Sequence, residues 1–297
     1  MEQRKTAADF HPQVIDWFQR YVHGEVDRRG FLDGVTRYAV GGVTVVGLLE
    51  ALQPNFALAQ QVQPTDPRLT SRKVEFPSPD GYGKAGGYLV MPAGAKGKLP
   101  GILVVHENRG LNPHIEDIAR RLALENFVVL APDALLPLGG YPGDEDKARG
   151  VFGQLDQAKT RNDFLAAAAY LKALPETSGK IGVVGFCYGG AMANFLATRL
   201  PDLGGAVPFY GGQPSATDAA KIKSPLLIHY ASNDARINAG AEAYETVLKA
   251  AGVRYEAFTY PNTDHGFNND TTPRYDAEAA KLAWSRTVAF FNKNLRG

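Results

Sequence analysis

The stretch Lys180-Ile181-Gly182-Val183-Val184-Gly185-Phe186-Cys187-Tyr188-Gly189-Gly190-Ala191-Met192-Ala193-Asn194-Phe195-Leu196 decides the fold. Its first half is a short apolar run of the kind found in central strands covered on both faces. Its second half carries apolar residues at helical spacing. Few residues remain between them to reverse the chain, and glycines stand at Gly185, Gly189 and Gly190. A turn this tight leaves little room for side chains at its flanks, and glycine meets that demand. Cys187 sits at the apex, above the sheet, at the start of a helix. There the helix dipole favours a thiolate, and free backbone N–H groups can receive an oxyanion. A Gly-rich turn between strand and helix can also be bare packing. In this context, however, the pattern reads as a nucleophile elbow with Cys in place of Ser.

Working outward, apolar runs alternate with helical patterns from Arg72 onward. Strands are expected at Lys73–Phe76, Gly87–Met91, Gly101–His106, Phe127–Ala131, Lys180–Phe186, Ala206–Tyr210, Leu226–Tyr230 and Tyr255–Tyr260. Helices are expected at Ile115–Glu125, Glu145–Ala158, Arg161–Leu174, Gly190–Arg199, Ala239–Ala251 and Tyr275–Asn294. This alternation argues an α/β fold, a mostly parallel doubly wound sheet with helices on both faces and ligands at the carboxyl ends of the strands.

Two further residues complete a constellation. His265, in Asn262-Thr263-Asp264-His265-Gly266-Phe267, follows a strand and precedes the last helix. Asp234, in Ser232-Asn233-Asp234, follows the strand Leu226-Leu227-Ile228-His229-Tyr230. The chain order is nucleophile, acid, base, which is the α/β-hydrolase order, and each member falls at a strand end, so the three can converge. The imidazole takes a proton, and the carboxylate fixes its tautomer and stabilises the imidazolium. The bland alternative makes Asp234 a turn residue and Asp264 a loop cap. In His106-Glu107-Asn108-Arg109-Gly110 a glycine stands where a zinc protease needs its second histidine, so that reading fails. His11, His23, His114 and His229 show no ligand spacing and are expected in ordinary structural roles, with no metal and no cofactor.

Composition sets outer limits. The 297 residues are 44% hydrophobic and 21% charged, which fits one large domain plus an extension. A net charge of +1 gives no reason to expect nucleic acid or an anionic membrane as partner. The single cysteine excludes an intrachain disulfide and a multi-cysteine metal site. No apolar run is long and clean enough for an internal membrane span. The first 59 residues differ from the rest. Arg28-Arg29-Gly30-Phe31-Leu32, a largely apolar stretch from Val35 to Leu52 and the small residues of Ala57-Leu58-Ala59 resemble a twin-arginine export signal, which implies a periplasmic or secreted protein that meets the membrane only in transit. Asp27 in place of Ser or Thr, and Arg37 and Glu50 within the run, depart from that pattern. The competing reading is a retained arm of amphipathic helices in a cytoplasmic protein. Residues 60–71 read as a polar, proline-bearing linker, and 72–297 as the α/β domain.

Over roughly residues 72–295 the chain resembles the dienelactone hydrolase family, the carboxymethylenebutenolidase-like branch of the α/β-hydrolases. The resemblance rests on Gly185-Phe186-Cys187-Tyr188-Gly189-Gly190, the strand that leads to Glu107, Asp234, and His265-Gly266-Phe267. It implies a cysteine nucleophile supported by His265 and Asp234. It also implies that Glu107 contacts the thiol and helps deprotonate it once substrate displaces the carboxylate, and that the backbone N–H groups of Asn108 and Tyr188 form the oxyanion site. The family holds a substrate carboxylate with arginines, one of them shortly after the histidine. Here Phe267-Asn268-Asn269-Asp270 contains none, so the hydrolase chemistry carries over better than the dienelactone specificity. Arg149 or Lys147 could supply a cation, though no motif fixes either. Tyr141, Phe152, Tyr210 and Phe267 could line an apolar pocket or be plain core.

The expected activity is cleavage of a small ester or lactone through a thioester acyl-enzyme. A peptidase or acyltransferase on the same triad, and a non-catalytic binding protein on this fold, are the alternatives. The sequence leaves the physiological substrate and the oligomeric state open.

Overall fold

The computed structural model describes residues 5–40 and 42–296. The outermost ends of the expected arm and domain, and Gly41 within the apolar stretch, lie outside the described residues. Eight strands form one sheet: β1 (Leu69–Ser78), β2 (Gly83–Pro92), β3 (Leu99–Val105), β4 (Val128–Pro132), β5 (Thr177–Phe186), β6 (Gly205–Phe209), β7 (Leu226–Ala231) and β8 (Tyr255–Tyr260). Their order is β1-β2-β4-β3-β5-β6-β7-β8. β1 pairs antiparallel with β2, and β2 antiparallel with β4. Every other neighbouring pair is parallel. Central strands such as β3 and β5 are apolar on both faces because helices cover both. All eight expected strands are present. β1 is much longer than the Lys73–Phe76 run because its register with β2 extends from Leu69 opposite Pro92 to Ser78 opposite Gly83.

The N-terminal segment holds four helices: α1 (Pro12–His23), α2 (Arg28–Val35), α3 (Val45–Leu52) and α4 (Phe56–Ala59). The α/β body adds α5 (Pro113–Leu124), α6 (Glu145–Phe152), α7 (Gln157–Ala173), α8 (Tyr188–Arg199), α9 (Ala216–Ala219), α10 (Ala235–Asn238), α11 (Ala241–Ala250) and α12 (Ala277–Arg296). The expected helix Glu145–Ala158 is in fact two. Gly153 closes α6, and the Asp156 side chain accepts from the N–H groups of Ala158 and Lys159, starting α7. An N-cap carboxylate satisfies donors that an uninterrupted helix would have used otherwise. Among the described residues no helix is long and apolar enough to cross a membrane.

The arm has its own small core of Phe10, Val14, Ile15, Phe18, Tyr21, Phe31, Val35, Leu49 and Leu52, separate from the clusters on the two faces of the sheet. Asp27, the residue out of place in an export signal, caps α2 by accepting from Gly30 N at 2.7 Å. The expected linker is tied down at its start. The N–H groups of Gln61 and Val62 donate to the buried carboxylate of Asp117 on α5 at 3.1 and 2.9 Å.

Candidate active site

Cys187 occupies the bend between β5 and α8, with φ 55° and ψ −112°. A positive φ at a residue with a side chain costs on the order of 1–3 kcal/mol and persists only where the surroundings enforce it. The enforcement is visible. Cys187 N donates to Phe209 O on β6 at 3.1 Å. A Cβ on Gly185 would lie 1.9 Å from Gly189 O, and one on Gly189 would lie 2.2 Å from Val105 O. Both glycines are therefore required by close backbone approach. Tyr188 is the first residue of α8, so its N–H has no acceptor within the helix and is available to an oxyanion.

His265 is 2% exposed, and its Nδ1 lies 2.5 Å from Asp234 Oδ2. The other oxygen of Asp234 accepts from Ile237 N at 3.3 Å, capping the short helix α10 and fixing the carboxylate plane. With Nδ1 taken by Asp234, the other ring nitrogen is left for Cys187, whose Sγ lies within 4.8 Å of a His265 ring nitrogen. Burial works against a charge on this imidazole. The neighbouring Cys187 sulfur and the Asp234 carboxylate outweigh it and hold the group up at about 9. The structure thus brings Cys187, His265 and Asp234 into one array, with the imidazole between thiol and carboxylate.

Glu107 lines the same pocket as Cys187 and His265. Its Oε2 accepts from Asn269 Nδ2 at 2.9 Å, a partner the sequence did not suggest. The loop that carries Glu107 is clamped by the buried His106. Ala134 N donates to His106 Nε2 at 3.1 Å, so Nδ1 carries the proton and donates to Glu107 O at 2.6 Å. Burial pulls this histidine down and keeps it neutral. If Glu107 restrains the thiolate by like-charge repulsion, Glu107→Gln should lower ester turnover and speed iodoacetamide labelling of Cys187 at neutral pH. Unchanged labelling and turnover in a folded variant would leave Glu107 as a structural partner of Asn269.

The remaining expected residues fall elsewhere. Arg149 does not line the pocket; its Nη1 donates to Tyr21 O at 2.5 Å and its guanidinium covers the Tyr21 ring at 4.2 Å. The backbone N–H of Lys147 donates to the Asp144 cap of α6, on the same turn as Arg149. Tyr141 donates to Glu145 Oε1 at 2.8 Å. Phe152 stacks edge-on against Tyr188. Phe267 is fully buried among Phe209, Tyr210 and Tyr260. Tyr210 is equally buried, with its ring 4.9 Å from that of His265, so both support the histidine loop from behind. His114 pairs with Asp270 and His229 bridges Thr287 and Tyr260, both structural as expected.

Among the pocket residues that escaped the sequence reading, three are basic. Arg274 is 7% exposed, and its Nε and Nη1 have no partner. Its guanidinium lies against Gly266, where a Cβ would meet Arg274 Cζ at 3.2 Å. An arginine thus lies beside the histidine loop, beyond the Phe267–Asp270 stretch that contains none. Arg109 is slightly more buried and lies 3.8 Å from Glu145. His23, expected in an ordinary structural role, reaches the centre from the arm, with its ring 4.5 Å from that of His265. Nothing in the spacing could have revealed it, because only the docking of α1 places it there.

His23, Cys187 and His265 offer potential metal-ligand atoms within 4.8 Å of one another. Arg236 Nη2 lies 3.2 Å from His23 Nε2, and His265 is bound to Asp234. Burial, foremost, then the neighbouring His265 and the charges of Arg236, Arg274 and Arg109 push His23 down to about 2. A dication would have to enter among three guanidiniums, so the trio reads as a crowded catalytic centre.

The model described as the dienelactone hydrolase family matches residues 85–295. The chain belongs to that family. A second model, described as YqhI-like, matches residues 1–39, which lie in the arm. The dienelactone hydrolase assignment is consistent with individual relatives. A protein of Escherichia coli named "Putative hydrolase fragment YghX" is 52% identical over 38% of this chain and 97% of its own length. A Synechocystis protein named "Putative carboxymethylenebutenolidase" is 32% identical over 71% of this chain and 92% of its own. The crystal structure of a Klebsiella pneumoniae protein described as "Putative Dienelactone Hydrolase" superposes with a TM-score of 0.67 at 28% identity, covering 75% of this chain and 99% of that one. This dienelactone hydrolase family member is accordingly a hydrolase of ester or lactone bonds on the α/β-hydrolase fold.

Proposed function

We propose that the chain hydrolyses a small, carboxylate-bearing ester or lactone through a thioester on Cys187. The observation that carries the chemistry is the Cys187–His265–Asp234 array at a strained elbow. The Cys187 thiolate attacks the carbonyl carbon, and the oxyanion is received by the N–H groups of Tyr188 and Asn108. The alkoxide leaves with the proton held on His265 Nε2, giving the thioester. His265 then takes a proton from water, the hydroxide attacks the thioester, and the released thiolate again faces an imidazolium. Asp234 keeps the proton-transfer nitrogen pointed at sulfur throughout.

The substrate class is read from Arg274. A buried guanidinium with unpaired donors is costly unless an anion completes it. Arg274 lines the pocket beside His265 and has this character, with Arg109 across the cavity. A rapid denaturing quench during turnover, followed by mass spectrometry, should find an acyl adduct on Cys187. Arg274→Ala should raise KM about tenfold or more for an ester with a free carboxylate and leave a neutral ester of equal size almost unaffected, as loss of one charge-assisted contact predicts. Absence of any adduct would reject the thioester route, and equal effects on both esters would reject the carboxylate subsite.

A further inference from the structure

The cavity beside Cys187 has a volume of about 40 Å³. That is room for a water molecule or two, whereas pockets for small molecules run to roughly 300–1,000 Å³. Six of its lining residues come from outside the α/β body and narrow it. Phe18, Tyr21, Val22 and His23 at the end of α1, and Gln53 and Pro54 after α3, line the cavity opposite Cys187 and Arg274. His23 stands nearest the reaction centre, with a ring nitrogen within 4.8 Å of both Sγ and a His265 ring nitrogen. A carbonyl carbon must come to about 3–3.5 Å from sulfur to react, and its substituents would need the volume that His23 now fills.

The way the arm is held decides what this means. Its apolar side chains pack mainly against one another, while the body covers Phe18 and Tyr21 with the guanidiniums of Arg274 and Arg149, so withdrawal uncovers those two rings. The other links to the body near the site are hydrogen bonds and an ion pair, with Arg109 Nη1 and Nη2 donating to Val22 O at 3.4 and 3.3 Å. Asn108 Nδ2 donates to Val22 O at 3.0 Å, Arg149 donates to Tyr21 O, the Tyr21 hydroxyl donates to Asp146, and Arg28 pairs with Asp146 at 3.2 Å. Arg236 donates to His23 Nε2. Water can replace each of these when the contact opens, so each contributes modestly and reversibly.

We infer that the N-terminal arm is a gate built into the active site, with His23 as its plug, and that its opening determines which esters reach Cys187. The inference takes the segment as a retained helical arm rather than a removed signal. It rests on the reading of Cys187 as the reactive thiol. Every turnover then includes withdrawal of α1, and larger substrates require wider withdrawal. Residues at the latch act as specificity-determining residues without touching the bond that breaks.

The test uses the full chain and two latch variants, Arg149→Met on the body and Tyr21→Phe on the arm, with thermal unfolding to verify the fold. Labelling of Cys187 is followed with iodoacetamide and with a bulky aryl maleimide, beside kcat/KM for an acetyl ester and for a branched aryl-acyl ester. Labelling needs no turnover, so it reads the gate separately from the chemistry. The expected result is that both variants raise maleimide labelling at least about tenfold, raise iodoacetamide labelling less, and improve the larger ester more than the acetyl ester. Unchanged maleimide labelling in both folded variants would overturn the gate, even with a thioester trapped on Cys187. A fall in kcat/KM with unchanged labelling would also overturn it, and would return Arg149 to substrate binding. Faster labelling with ester turnover surviving Cys187→Ala would sustain occlusion of the thiol and reject its catalytic role.

Discussion

Cys187→Ala should abolish ester hydrolysis while leaving the fold in place. The loss expected is about a thousandfold or more, the scale seen when a covalent nucleophile is removed. The reason is structural as well as chemical. The elbow geometry is enforced by backbone contacts of Gly185, Gly189 and Phe209, none of which needs the sulfur. Alanine keeps the Cβ and removes only the sulfur, and the packing lost is small because Cys187 is only partly buried against the core. The measurement is kcat/KM on an activated aryl ester, with circular dichroism to verify the fold. Near-full activity in a folded variant would end the thioester mechanism.

The second large effect is expected at His265. His265→Ala should cost nearly as much as loss of the nucleophile, because both proton transfers pass through Nε2. Asp234→Asn should cost less and tell more. Asparagine is also a good N-cap, so the bond to Ile237 N can persist while the charge beside His265 disappears. The raised proton affinity of His265, at about 9, rests on the neighbouring Cys187 sulfur and on that carboxylate. A basic group whose pKa is raised on folding stabilises the fold fully below its unfolded value near 6.5, and that contribution is lost as pH rises through about 9. Wild type should therefore lose stability across pH 6.5 to 9 relative to Asp234→Asn. In the variant the imidazolium is expected to deprotonate earlier, moving the alkaline change toward neutrality. Thermal unfolding across this range, beside pH profiles of kcat/KM, gives the comparison. Superimposable wild-type and variant profiles would remove Asp234 from the array.

Much of this site can be read from sequence because its parts are local. The elbow needs glycines at fixed offsets from the nucleophile, and its neighbours are an apolar strand and a helix. Asp234 and His265 follow strands in an order that sheet topology converts into proximity. The residues that escaped notice lack such a signature. Arg274 lies beyond the stretch in which a cation was expected, and only the burial of its unpaired guanidinium gives it meaning. Arg149 has the charge and the neighbourhood of a substrate ligand, yet the arm carbonyl at Tyr21 claims it. His23 depends on how one helical unit docks on another, and the hydrophobic pattern of α1 reports only that the helix has a buried face. The split between α6 and α7 was masked because Asp156 lies in a stretch whose composition suits a continuous helix.

The tether of the arm has a kinetic consequence. Asn55 N donates to Thr271 O at 2.8 Å, and Gln61 and Val62 are held by Asp117, which Arg121 joins to Asp270 of the histidine loop. The root of the arm is thus fixed beside the residues its tip covers. Reclosure is then a unimolecular event, governed by the effective concentration of a short tether, which is in the millimolar range for flexible connections. An incoming ester competes with that local concentration of His23 and not with a partner that dilution can remove. Occupancy of the open site should follow substrate concentration alone and be indifferent to how much of the protein is present.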